Sequence, residues 1–184
     1  MYRSILFGVV AIASATRLTA QATDRLSLDV TIGPSWGSGR RQQYDNTSGS
    51  AGEVVLALRL HPDRAVAPIA ALSVGGQGSF TPDAVCAVLP PPSTGCEPEF
   101  PSFGHLGIVG GIELRRAAVD LRALTGPAFY EGGGKTGLGA QINLDGAVGF
   151  AHLAFVAAVR GSLVDRFNGD RLWCRSLELG LRIQ

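Results

Sequence analysis

Three histidines and three cysteines set the reactive chemistry this chain could carry. His61, His105 and His152 fall in three separate segments, with His61 and His152 toward one end of the layout and His105 toward the other. A metal site needs several ligands converging in defined geometry, so no metal site is expected. Hydrolysis by a serine needs a histidine within hydrogen-bond reach. Ser162 lies at the far end of the segment that His152 opens, so no catalytic residue is assigned. The run EGGGKTG is rich in glycine but lacks the GxxxxGK[ST] spacing and the following helix of a phosphate loop. No cofactor is expected. Cys86 and Cys96 flank the stretch AVLPPPSTG, a spacing suited to a small disulfide in an oxidising compartment. With no histidine nearby they lack a metal ligand set, and Cys174 is left as an inert lone thiol. Arg40 and Arg41 could meet acidic lipid head groups, though a solvated loop pair is the simpler reading.

The remaining charges follow a pattern. Asp29, Arg59, Glu113, Arg115, Asp120, Arg122, Asp145, Arg160, Glu178 and Arg182 occupy every second position of segments whose other positions are apolar. Period-two alternation is the mark of a β-strand with one apolar and one polar face. In the first segment Leu26, Leu28, Val30 and Ile32 alternate with Ser27, Asp29, Thr31 and Gly33. Further strands are marked by Val54–Leu56–Leu58–Leu60, Pro68–Ala70–Leu72–Val74, Leu106–Ile108–Ile112–Leu114 and Val119–Leu121–Ala123. Leu138–Ala140–Ile142–Leu144, Leu153–Phe155–Ala157–Val159 and Leu177–Leu179–Leu181–Ile183 complete eight. Between them, short breaks at 61–64, 116–118 and near Gly146 alternate with longer or polar stretches. Those stretches are 37–52, the largest at 77–104, 131–137 and 163–170.

That rhythm, with an even strand count, suits a closed all-β, eight-stranded, antiparallel up-and-down transmembrane β-barrel with tight turns at one rim and loops at the other. Composition agrees: 17% of residues are charged and Lys135 is the only lysine, against about 25% charge in soluble domains. A net charge of +1 argues against a nucleic-acid surface. Leu26–Trp36 also aligns without gaps on Val119–Phe129, each segment ending Gly-Pro-x-aromatic. Both Gly-Pro steps are expected near the loop rim, where pairing frays, because proline removes a ladder donor.

The chain opens with Arg3, an apolar run from Ile5 to Ala15, and Ala20-Gln21-Ala22. These read as a cleavable signal peptide over 1–22 ahead of a barrel domain over 23–184, with an uncleaved anchor as the alternative. The apolar run falls short of the roughly 20 residues a membrane helix needs.

Period two alone also fits a soluble barrel with its leucines inside. Charge placement favours the membrane version: eight strands leave room for little beyond side chains, and nearly balanced acids and bases can pair there as a plug. Trp36, Phe129 and Trp173 at strand ends suit an interfacial aromatic girdle. The strand rhythm and the closing SLELGLRI resemble the small eight-stranded outer-membrane proteins typified by the transmembrane domain of outer membrane protein A. The chain departs from them by ending Ile183-Gln184, not on an aromatic residue.

The resemblance implies a bacterial outer-membrane location, contact with outer-membrane lipid, and the barrel-assembly machinery as a partner during insertion. The function expected is non-enzymatic, structural or loop-displaying for adhesion or ligand capture, with the lumen plugged by paired charges. The alternatives are a secreted, lipocalin-like soluble barrel for a small apolar ligand, and a lipid-modifying enzyme using His152.

Overall fold

The computed structural model describes residues 25–39, 47–79, 102–132, 135–150, 152–167 and 170–184. The proposed signal segment and the Cys86–Cys96 disulfide lie outside these residues. Eight strands follow in chain order: β1 Leu26–Gly39, β2 Thr47–Arg59, β3 Val66–Ser79, β4 Phe103–Arg116, β5 Val119–Gly132, β6 Lys135–Phe150, β7 Leu153–Phe167 and β8 Asp170–Ile183. Each pairs antiparallel with its neighbours, and β8 returns to β1, so the sheet is a closed up-and-down barrel with no free edge.

The register fixes the shape. A path from Asp29 through Val55, Ser73, Gly107, Ala128, Gly139, Val164 and Leu172 returns to β1 at Gly39, ten residues along the strand. Ten residues at about 3.3 Å, spread over eight strands about 4.8 Å apart, correspond to a tilt of roughly 40°. At that tilt a 14-residue strand rises about 35 Å, more than the roughly 25 Å apolar band of an outer-membrane barrel.

This excess explains where the sequence reading of loops falls short. Within the stretches 37–52, 77–104, 131–137 and 163–170, residues 37–39, 47–52, 77–79, 103–104, 131–132, 135–137, 163–167 and 170 are strand. β1 and β2 stay paired from Leu26↔Leu58 up to Gly37↔Thr47, and β5 and β6 stay paired up to Gly132↔Lys135. Between the described strands, 40–46, 80–102, 133–134 and 168–169 are the intervals at the loop rim. Above the apolar band a strand needs no greasy face, so Gly, Ser and Thr pair there without alternation.

The Gly-Pro steps also differ from a frayed rim. Gly33 and Pro34 stay paired with Ala51 and Ser50 on β2 but drop out of the ladder to β8. Gly126 and Pro127 pair with Gln141 and Ala140 on β6 and drop out of the ladder to β4. Each proline has its missing donor on the unpaired side. Glycine is required beside it, because a Cβ at Gly33 would run into the carbonyl of Leu177, and one at Gly126 into that of Ile108. At the opposite rim, Ala117 turns the chain from β4 to β5 with φ 54°, a left-handed conformation costly for a residue with a Cβ.

Facing is unambiguous. Ile32, Leu179 and Phe155 are 69%, 70% and 74% exposed on the outer face, as are Ile108, Ile112, Leu138 and Leu177 around the circumference. Trp36, Phe129 and Trp173 share that face, with Phe129 and Trp173 exposed. The inner face holds Asp29, Glu113 and Arg182, all fully buried, and small apolar patches such as Val55, Ala57, Ile69, Ala71, Val109 and Leu124. A soluble barrel with leucines inside is thereby overturned.

Candidate functional site

The inward side chains of all eight strands meet in a narrow lumen, and the ten charged residues named from the sequence lie there. They form two groups. On the turn side, Arg182 at the end of β8 grips Asp29 of β1 with both arms: Nε donates to Oδ1 and Nη2 to Oδ2, each at 2.8 Å. Its Nη1 lies 3.5 Å from Asp120 Oδ2. Arg122 crosses the lumen from β5, donating to Asp29 Oδ2 at 3.1 Å, Glu113 Oε2 at 2.8 Å and Ser27 Oγ at 2.7 Å. Arg59 donates to Glu113 Oε1 at 2.5 Å and to the carbonyl of Arg64 in the β2–β3 turn. Arg115 completes this group on Glu113 and Asp120, each at 3.1 Å.

On the loop side the carboxylates converge on one guanidinium. Arg160 donates through Nη1 to Asp145 Oδ1 at 2.8 Å, and its Nε lies 2.9 Å from Glu53 Oε2 and 3.6 Å from Glu178 Oε2. Hydroxyls and amides take up the remaining carboxylate lone pairs. Thr31 and Ser176 each donate to Glu178 at 2.5 Å, while Ser73 and Asn143 donate to Glu53 Oε1 at 2.6 and 3.1 Å. Asp145 Oδ2 is buried without a hydrogen-bond partner. Charge-assisted bonds of this kind are strong in a low-dielectric interior, and an uncompensated charge there is correspondingly costly.

One residue absent from the sequence reading matters here. Glu53 continues the inward alternation of Val55, Ala57 and Arg59 by one step, but it abuts the Gly/Ser stretch assigned to a loop. His105, named from the sequence only as a histidine apart from the other two, lies on the inner face of β4 with its Nε2 3.2 Å from Ser73 Oγ and 4.0 Å from Glu53 Oε1. His61 and His152 are exposed at the turn rim, where His152 Nδ1 lies 3.2 Å from the carbonyl of Gln184.

Ser162, at the loop side, lines a cavity of about 20 Å³ with Glu53, His105, Arg160, Cys174 and Glu178. That cavity is distant from His152 and holds about one water. Ser73, His105 and Glu53 are hydrogen-bonded neighbours, but not as a nucleophilic triad. Ser73 gives its proton to Glu53 and not to the histidine, and it is fully buried. Among the described residues no set of three His, Cys, Asp or Glu could hold a metal ion. Cys174 is a buried free thiol in an apolar cluster with Phe103, Ala128, Tyr130, Val164 and Leu172.

No protein-family model matches the chain, and no curated protein does. Among solved structures it is similar to Neisserial surface protein A (NspA), with a TM-score of 0.58 at 11% identity over 86% of this chain and 96% of that one. It is also similar to Ail, the attachment invasion locus protein of Yersinia pestis, with a TM-score of 0.43 at 13% identity over 86% and 99%. The likeness to NspA shows the fold, that of the small eight-stranded outer-membrane barrels.

Proposed function

We propose that this chain is a non-enzymatic barrel of the bacterial outer membrane that closes its own lumen and serves as a rigid mount for the connections at its loop rim. The carrying observation is the inverted facing: large apolar side chains cover the outside, and the charged ones are sealed within. Water is a poor solvent for that exterior and lipid a good one. Acyl chains of the membrane are therefore the first partner, and barrel-assembly machinery the expected partner during insertion.

The cross-lumen ion pairs support a structural plug. Ions passing through would have to displace Arg122 and Arg182 from Asp29, on which both converge. The connections 40–46 and 80–102 are the longest at the loop rim, and connections on a rigid scaffold are where recognition sequences are carried. A lipocalin-like carrier does not fit: the lumen is filled by side chains, and a cavity of about 20 Å³ excludes an organic ligand.

Membrane fractionation with gel migration of unboiled and boiled samples tests the reading. The folded chain should sediment with outer membranes and shift its mobility on boiling. Recovery in the aqueous phase without detergent would eliminate it.

A further inference from the structure

The outer face of the barrel stays apolar down to the turn rim. Leu60, Val66, Leu114, Val119, Leu153 and Ile183 are exposed at or beside the turn ends of their strands. A hydrocarbon layer covering them reaches that edge, and the next residues stand at the level of lipid head groups. The charges met there are unevenly spread. Arg25, Arg64 and Arg116 are exposed along the arc from β1 to β5. On the remaining arc the described rim offers His152, whose ring lies against the carbonyl of Gln184.

The register brings two of these arginines together. The last ladder pair of β3 and β4 is Val66↔Leu114, and the Arg115 N–H donates to the carbonyl of Ala65 at 2.8 Å one step beyond it. A further step sets Arg64 beside Arg116. Arg116 continues the outward alternation of Ile112 and Leu114. The backbone of Arg64 is held from both sides. Its N–H donates to the carbonyl of His61 at 3.3 Å, and its own carbonyl accepts from the guanidinium of Arg59 in the lumen. Arg59 is itself fastened to Glu113. The ion pairs of the lumen thus fix the turn that presents Arg64 outside.

Like charges at opposed positions of an antiparallel pair repel, and the described residues leave these two unrelieved. Glu113 and Asp120 point inward and are taken by Arg59, Arg115, Arg122 and Arg182. Asp63 is exposed in the same turn, yet among the described residues neither Arg64 nor Arg116 has a hydrogen bond or ion pair through its side chain. Guanidinium groups bind phosphate oxygens through paired N–H donors. An unrelieved pair of them at head-group height is complementary to a phosphate whose molecule also carries acyl chains.

We propose that Arg64 and Arg116 clamp the phosphodiester of an anionic phospholipid in the leaflet on the turn side. The two non-bridging oxygens accept from the two guanidinium groups, and the acyl chains of the same molecule lie on Val66, Leu114 and Val119. A zwitterionic lipid brings its own ammonium into this space, so a head group without a cation, such as phosphatidylglycerol, is preferred. The clamp rests on the reading of the outer face as lipid-facing.

Arginine Nε–Hε signals of the folded barrel in bilayer nanodiscs test it, followed by NMR as phosphatidylglycerol replaces phosphatidylcholine. A preference of about fivefold per guanidinium, about 25-fold for the pair, puts the half-way point for Arg64 and Arg116 near about 4 mol% phosphatidylglycerol. Arg25 and Arg175, exposed elsewhere, should drift in proportion to lipid charge without saturating. Arg64→Gln should raise the half-way point at Arg116 about fourfold. Signals of Arg64 and Arg116 that stay still, or that only drift as Arg25 does, overturn the clamp. The same shifts produced by inorganic phosphate in pure phosphatidylcholine discs would make this a free-phosphate site and overturn the lipid assignment. Contacts between acyl chains and the methyls of Ile108 and Leu179, read in the same discs, separate the two levels. Their absence would sink the membrane reading and the clamp with it, whereas their presence without saturation at Arg64 and Arg116 fells the clamp alone.

Discussion

Replacing Arg182 by methionine removes a fully enclosed charge of the lumen while keeping the length of its stem. Arg182 is fully buried and makes two 2.8 Å bonds to Asp29, which is equally buried. Deleting one partner of such a pair costs about 3–5 kcal/mol, because the other charge stays behind in a medium that cannot solvate it. Here the lower end applies. Asp29 retains Arg122 at 3.1 Å and Asp120 retains Arg115 at 3.1 Å, so neither carboxylate is orphaned. A loss of about 3 kcal/mol is expected. In an Asp29→Asn background the same change should cost about 1 kcal/mol, giving a coupling of about 2 kcal/mol. Urea titration in phosphatidylcholine vesicles, followed by the fluorescence of Trp36 and Trp173, measures both. A loss below about 1 kcal/mol, the size seen for exposed pairs, would refute the idea that these charges are sealed from water. An equal loss in both backgrounds would refute the pairing itself.

Leu179→Arg or Ile142→Arg should destabilise the barrel in bilayers by about 2–4 kcal/mol, measured by the same titration, because both side chains face outward in the apolar band. Asp165→Asn, which breaks an exposed pair with Arg171, should change stability by less than about 1 kcal/mol. Gly126→Val should abolish the compact, heat-modifiable form on gels, since its side chain would occupy the path of the Ile108 carbonyl. Ala117→Gly should raise the unfolding free energy by about 1 kcal/mol, read from the same urea titration, by relieving a left-handed alanine.

The facing of this barrel was legible because one period-two pattern runs through all eight strands and splits leucines from charges without exception between Leu26 and Ile32 or Leu177 and Ile183. Strand ends were not legible. Thr47 to Gly52 and Lys135 to Gly137 carry no alternation, and the register that pairs them is imposed by strand neighbours far away in sequence. Ion partners were hidden for the same reason. Arg122 meets Asp29 93 residues away only because the barrel closes with a stagger of ten, which no local pattern encodes. Glu53 could have been found by extending the alternation of β2 one step below Val55. His105 could be assigned to a polar face, but its place beside Ser73 and Glu53 needed the β2–β3–β4 register.

Contact with lipid can be read residue by residue from nuclear Overhauser effects between side-chain methyls and acyl methylenes in a bilayer nanodisc. Methyls of Ile108, Ile142 and Leu179 should show strong cross-peaks to the acyl chains, and those of Val55, Ala57 and Val109 none. Acyl contacts confined to the second set, with water at the first, would contradict the account at its root.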